Sequence, residues 1–465
     1  MAFLTLEDLK LSFNLFCVVY GVGTLGMPGN YARAGYVWGT VAVLLMAAIN
    51  MYTTSRISHV LLAAPKYVKT YGDVGEWCLG KVGRYVTVVT QLLVCWMVPI
   101  AFLVLSGTLL TTLFPNTYDD TTWIILLGFV LMPVCLMPSL KESAGVALAG
   151  AAGTLIADVI ALYVLVSQMT PIPAGLSPPS PVPSLSSVAS VFGNLSLGYS
   201  AGVVIPALQR EHSDPKRMPR VVLFTLAVCS VLFLTISLTG VSPVGCQIPG
   251  NLLFAIAGDK LGFVASRGGV VLAFLCMQVH CTVAYAVIVF PTFYILERVF
   301  FGLHKVDKVV DDEEDAKYSE VETPAALTVE KSEEVEGPVY RSSIEYTKAM
   351  VLRIVMVALS VLIAVLWKNH FSDILDFVGA SCTALTSMIL PLLFYLRTFG
   401  KSLPWWEKVW IGFQLILVSI LAVYVTYHSG KALFAPEPAN PAIKFPYCPA
   451  EFQRMVYTNQ TYYHH

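Results

Sequence analysis

Residues Gly21-Val-Gly-Thr-Leu-Gly-Met-Pro-Gly29 interrupt an apolar run that begins near Leu9 and ends near Tyr31. The run is long enough to cross a bilayer, which takes about 20 residues in a helix. Four glycines and a proline oppose a continuous helix there. In hydrocarbon, a helix break strands N–H and C=O groups, each at a cost of several kcal/mol. Such a break survives only where protein buries it or where it lines a polar cavity. An isolated GxG would read as a close helix–helix contact. The fourth glycine and Pro28 favour a true discontinuity.

The rest of the chain supplies the surroundings that such a break needs. Of 465 residues, 56% are apolar and 13% are charged, against about 25% charged in a soluble domain. This composition belongs to an all-α polytopic membrane protein. A net charge of -1 and the lack of a basic domain give no sign of a nucleic-acid partner. The first apolar segment is too long for a signal peptide and lacks a small-residue cleavage site, so it is expected to stay as the first membrane helix. Eleven spans are expected, near 9–31, 35–62, 85–113, 121–138, 144–169, 187–208, 219–241, 267–300, 347–367, 372–396 and 405–427. Residues 1–8 form a short N-terminus and 428–465 a C-terminal tail.

Lys and Arg are biased to one set of connections, including Lys66, Lys69, Lys81, Arg84, Lys141, Arg210, Lys216, Arg217 and Arg220. Connections 114–120 and 170–186 have none; Arg33, Lys260, Arg267 and Lys368 are the main exceptions. The positive-inside rule then puts the N-terminus in the cytosol and the C-terminal tail outside. The plasma membrane is the expected location, ahead of a vacuole or lysosome. Pro171–Ser187 reads as an extended outer linker. Residues 305–345 read as a disordered acidic inner loop, with Ser319, Thr323 and Ser332 as conceivable phosphorylation sites. The stretch Tyr71–Gly80 reads as an inner surface helix.

Seven of the ten cysteines fall within spans, and Cys78 is cytosolic. Cys246 and Cys448 are the two expected outside, where disulfides persist, so they are expected to pair; two free thiols is the alternative. No zinc-type CxxC spacing occurs, and no metal or organic cofactor is expected. Asn459-Gln-Thr461 is a glycosylation acceptor on the outer tail.

Span six carries a second weak helix. Gly193, Gly198 and Gly202 alternate with Asn194, Ser196 and Ser200, and Pro206 follows. Spans one and six open two five-span units, 9–169 and 187–396, with 405–427 left over as an extra helix. Interrupted helices at matching positions of two halves point to a secondary transporter site. An odd number of spans per unit makes the halves run in opposite directions, the LeuT-type 5+5 inverted repeat. Half-helix N-termini suit a carboxylate and C-termini suit an ammonium or a metal cation. A zwitterionic amino acid carries both groups. The expected substrate contacts are Gly21, Val22, Gly23, Thr24, Leu25 and Gly26 in the first break, with Gly198, Tyr199, Ser200 and Gly202 in the second.

These motifs, taken in order, resemble the amino acid/auxin permease family of the amino acid–polyamine–organocation superfamily. The carriers are Gly21–Gly29 with Ala32-Arg-Ala-Gly-Tyr36, Tyr71-Gly-Asp-Val-Gly75 with Gly80-Lys-Val-Gly-Arg84, and Gly198-Tyr199 through Pro206-Ala-Leu-Gln209. Asp214-Pro-Lys-Arg-Met-Pro-Arg220, Phe290-Pro291, Val378-Gly-Ala380 and Ile389-Leu-Pro391 also fit. The resemblance implies eleven spans, a LeuT-like core and amino-acid import, with protons or, in some branches, sodium. The chain departs from the family at Gly202 and Val203, where many members have His and Asn, and at Ala207, where many have Glu.

Ionisable groups inside spans are functional candidates. Asp158 reads as a proton carrier, as a counter-charge for a cationic amino acid, or as a protonated helix contact. His280 reads as a titrating group or as a neutral interhelical hydrogen-bonder. Thr282 lies near where LeuT-like sodium transporters place a hydroxyl ligand; such hydroxyls also bond their own backbone. Arg56 reads as snorkelling, and Gln91 and Trp96 read as pocket lining or helix packing. The expected function is a monomeric secondary transporter of amino acids, proton-coupled and working by alternating access. The alternatives are a sodium-coupled neutral amino-acid transporter and a non-transporting amino-acid sensor. No catalytic constellation occurs, so an enzyme is not expected.

Overall fold

The computed structural model describes residues 4–65, 67–138, 144–169, 176–258, 261, 265–303, 340, 342–436 and 442–457. Asn459 and residues 304–339 and 341 lie outside the described residues. The path begins with α1 (Leu6–Val19), α2 (Met27–Ala63), α3 (Tyr71–Leu113), α4 (Asp120–Cys135) and α5 (Ala144–Met169). It continues with α6 (Leu185–Gly198), α7 (Ile205–Glu211), α8 (Met218–Val241), the short α9 (Leu252–Ala255) and α10 (Arg267–Phe301). It ends with α11 (Ser343–Leu366), α12 (Phe371–Val378), α13 (Leu390–Phe399) and α14 (Trp405–Phe434).

Among the described residues, nine helical stretches are long and apolar enough to cross a membrane, and α4 is a shorter apolar helix. Two long helices hide a turn. Gly35 (φ 77°) divides α2 into the second half of the first span and the whole of the second. Gly80 (φ 71°) divides α3 into a short N-terminal helix and the third span. Both positions require the left-handed backbone that glycine adopts without a Cβ penalty. Adding the first span and α4 to the nine stretches recovers the eleven-span path.

Local signals set the helix starts. Thr5 with Asp8, Thr70 with Asp73, and Ser184 with Ser187 form reciprocal capping boxes. Several ends differ from the expected ones. The last helix runs on to Phe434, and α11 begins at Ser343, so 343–345 are helical rather than part of the acidic loop. Between α12 and α13 the chain is π-helical over Gly379–Thr383 and Leu385–Ile389. There Gly379 and Gly193 come so close that a side chain on Gly379 would strike the Gly193 carbonyl.

The helices pack as two interlocked groups. α2 packs on α6, α8 and α13, and α1 packs on α8; α10 packs on α3 and α5, and α11 on α3 and α4. A disulfide joins Cys246, after α8, to Cys448 in the C-terminal segment.

Candidate substrate site

The two sequence interruptions are real breaks, and they meet. α1 stops at Val19, Tyr20 and Gly21 are extended, and a 3-10 turn over Val22–Gly26 leads into α2. Pro28 stands in the first turn of α2, where its missing N–H leaves no bond unmade. α6 stops at Gly198, and a 3-10 turn over Gly202–Val204 leads into α7, with Pro206 in its first turn. A Cβ on Gly23 would lie 3.2 Å from the Gly198 Cα, and one on Gly26 would lie 2.7 Å from Asn194 Nδ2. Absence of side chains is therefore what lets the two breaks touch. Gly202 meets the π-helical segment, where its Cβ would lie 2.9 Å from the Ser387 Cα. Val22 to Gly26, Gly198 and Tyr199 are all buried, while Ser200 is half-buried.

Titratable side chains gather on the first break. Tyr20 donates its hydroxyl to Asp158 Oδ2 at 2.9 Å. Asp158 is 1% exposed. Its Oδ1 is buried without a hydrogen-bond partner, as is the nearby Thr24 hydroxyl. His280 Nδ1 lies 2.9 Å from the Gly150 carbonyl. A carbonyl only accepts, so Nδ1 carries the hydrogen and Nε2 is left as an acceptor. That Nε2 is buried without a partner, 3.5 Å from where a Gly21 Cβ would stand. Asn194, beside Gly26, has both amide atoms buried and unpartnered. An aromatic wall of Tyr20, Phe233 and Tyr199 runs between the breaks, with ring centroids 6.4 and 5.1 Å apart. Tyr199 donates to Ser230 at 2.8 Å.

The other sequence candidates lie apart from this cluster. The Thr282 hydroxyl donates to the Gln278 carbonyl one turn back on its own helix, at 2.8 Å. Trp96 donates to Ser360 at 3.0 Å and serves helix packing. Arg56 does not snorkel free: it pairs with Glu407 at 3.0 Å, between the rings of Tyr52 and Tyr395. Asn194 stood in the sequence as one polar residue among small ones, with no sign that both its amide atoms are unpartnered.

The family described as transmembrane amino acid transporter protein matches residues 7–433. The chain belongs to that family. Amino acid transporter AVT1I of Arabidopsis thaliana is 23% identical over 432 residues, covering 90% of this chain and 93% of the relative. Amino acid transporter AVT1J of the same plant is 22% identical over 438 residues, covering 91% of each. These relatives are named as transporters rather than enzymes. The crystal structure of MhsT in complex with L-phenylalanine is similar in fold, with a TM-score of 0.53 at 12% identity, over 90% of this chain and 98% of that one. The chain is thus an integral multi-pass membrane protein with a LeuT-like fold.

Two buried polar clusters lie on opposite faces of the breaks in this family member. On the face opposite the start of α1, Arg33 Nη1 pairs with Asp376 Oδ2 at 2.5 Å. Asp376 Oδ1 accepts the Asn194 N–H at 3.0 Å. The pair thereby joins α2, α6 and α12. On the face holding the start of α1, Asp8 accepts from Arg217 Nη2 at 2.6 Å and from His212 Nε2 at 2.8 Å. Glu7 accepts the Ser213 N–H at 2.8 Å. The Arg217 guanidinium holds the Asp8 carboxyl well below the usual carboxylate range, against the opposing pull of burial. These contacts clip α1 to the turn between α7 and α8.

Proposed function

We propose that the protein is a proton-coupled secondary transporter that imports amino acids, cationic ones included, by alternating access. The observation that carries this reading is the meeting of the two breaks beside Asp158 and His280, with acceptor atoms of both left unpartnered. The substrate carboxylate would lie on the N–H groups that open the turns after Gly21 and Ala201. Its ammonium would lie on the last carbonyls of α1 and α6. A proton on Asp158 would remove a buried charge, and losing it would restore a counter-charge for an ammonium. α1, α2 and α6 to α8 would rock against the remaining helices, breaking the Arg33–Asp376 tie between α2 and α12, while the Asp8–Arg217 tie keeps α1 moving with the α7–α8 turn. The Lys/Arg bias supports a cytosolic N-terminus, and the reading places the protein in the plasma membrane as a monomer.

Uptake of a radiolabelled amino-acid panel into proteoliposomes tests this, with an imposed pH gradient, a sodium gradient or neither. Uptake driven by outside acid is the expected result. Asp158→Asn should abolish accumulation while leaving exchange of substrate across the membrane. Sodium-driven uptake would overturn proton coupling. Binding without flux of any amino acid would overturn transport and leave a sensor.

A further inference from the structure

The segment 442–457 after α14 is built into the face that the Arg33–Asp376 pair closes. Its anchors are several and independent. Cys448 is bonded to Cys246. Gln247, fully buried, donates to the Phe452 and Met455 carbonyls at 2.8 and 2.9 Å and accepts the Tyr457 N–H at 2.9 Å. The Tyr447 carbonyl accepts the Val182 N–H at 3.1 Å, which joins the segment to the strand of chain leading into α6. A cavity of about 570 Å³ lies between the segment and the first turns of α6, lined by Ser184, Ser187, Ser190, Cys448 and Gln453. The Tyr447 ring stands over the Arg33 guanidinium, 6.0 Å from the ring centroid. The Arg33 Nε has no hydrogen-bond partner; Asp376 holds the guanidinium by its ion pair, the Tyr447 ring lies over it, and the Asp373 carboxylate adds its charge from farther off.

We infer that Tyr447 is a positioning residue for transport: its ring holds Arg33 on Asp376, and the Cys246–Cys448 bond holds Tyr447 over Arg33. The C-terminal segment is then a strap across the opposite face. A planar ring over a guanidinium stabilises it by face attraction and by limiting its rotamers. The inference rests on the alternating-access reading, because only a gate that opens needs a device that biases it closed.

Hydrogen exchange of the full chain in lipid nanodiscs reads the gate without requiring flux. Peptides from 27–34 and 185–198 report the opposite face; peptides from 6–19 report the other. Tyr447→Ala should speed exchange in the first two by about two- to fivefold, the size of one cation–π contact. It should leave 6–19 unchanged. Tyr447→Phe keeps the ring and should match the parent chain. Reducing the disulfide should reproduce Tyr447→Ala. No change in Tyr447→Ala overturns the inference, as does equal damage by Tyr447→Phe. A uniform rise at both faces also overturns it, because it would make the segment a general support of the fold. An exchange response in a chain that moves no amino acid would sink the transport reading alone. Flux without any exchange response would sink the strap alone.

Discussion

At the scale of single residues, the site depends on atoms that are missing. Gly21 and Gly26 lie in the same break, yet they face different neighbours. A Cβ on Gly21 meets His280 at 3.5 Å, an ordinary contact; one on Gly26 meets the Asn194 amide at 2.7 Å. Forcing atoms into a packed interior costs about 1–3 kcal/mol. Gly21→Ala should therefore keep most of the initial uptake rate, and Gly26→Ala should lose about tenfold or more. Rates per reconstituted protein check the contrast. Asp8 gives a prediction in pH. Its carboxyl is depressed by Arg217, so its stabilising tie is present above the unfolded carboxyl's pKa of about 4. It fades only as pH falls through the lower folded value. Between pH 7 and 5 that tie is intact. Asp8→Asn should scale uptake by the same factor at both pH values, whereas Asp158→Asn should flatten the acid stimulation. A pH profile of initial rates separates the two.

Helices carry the next level. The C-terminal ends of α10 and α4 are fastened to the middle of α11 by Arg353 and Glu297, both fully buried. Arg353 Nε pairs with Glu297 at 2.6 Å and its Nη1 donates to the Cys135 carbonyl at 3.0 Å. The rings of Phe290 and Phe293 stack on it, each 5.2 Å from the guanidinium carbon. Removing one member of such a pair costs about 3–5 kcal/mol, because the other charge is left buried. Glu297→Leu should lower the thermal midpoint in detergent sharply. Adding Arg353→Leu should recover part of the loss, since replacing a whole buried pair by apolar groups is often nearly neutral. A double mutant no better than the single one would show that the carbonyl contacts of Arg353, rather than the ion pair, hold these ends.

Across the whole molecule, the Arg33–Asp376 tie crosses between the two helix groups, whereas the Asp8–Arg217 tie lies within one of them. Breaking the first should move the population toward the conformation open on its side, and breaking the second should free α1 from the α7–α8 turn. Asp376→Asn should raise hydrogen exchange in 27–34 and 185–198, and Asp8→Asn should raise it in 6–19. Equal responses at both faces in either variant would contradict alternating access and favour a loosened fold. The Asp376→Asn shift should also appear in transport, as changed substrate affinity from the side that opens more easily.

Much of this was legible in the sequence because a membrane makes demands that propensity alone does not. Apolar runs of fixed length mark the crossings, and glycine with proline inside a run marks a break that must be sheltered, so the first and sixth spans disclosed the two breaks. The helix path followed with modest errors at ends such as Phe434 and Ser343, where polar residues continue a helix beyond the apolar run. What the sequence could not carry were contacts between residues far apart in the chain. Nothing local joins Arg33 to Asp376, Asp8 to Arg217, or Tyr447 to Arg33. Nor does spacing say that Thr282 turns to its own helix while His280 turns to Gly21. Burial in the folded bundle decides these, because removing water leaves each charge and each unpaired donor to find the partner that packing brings within reach.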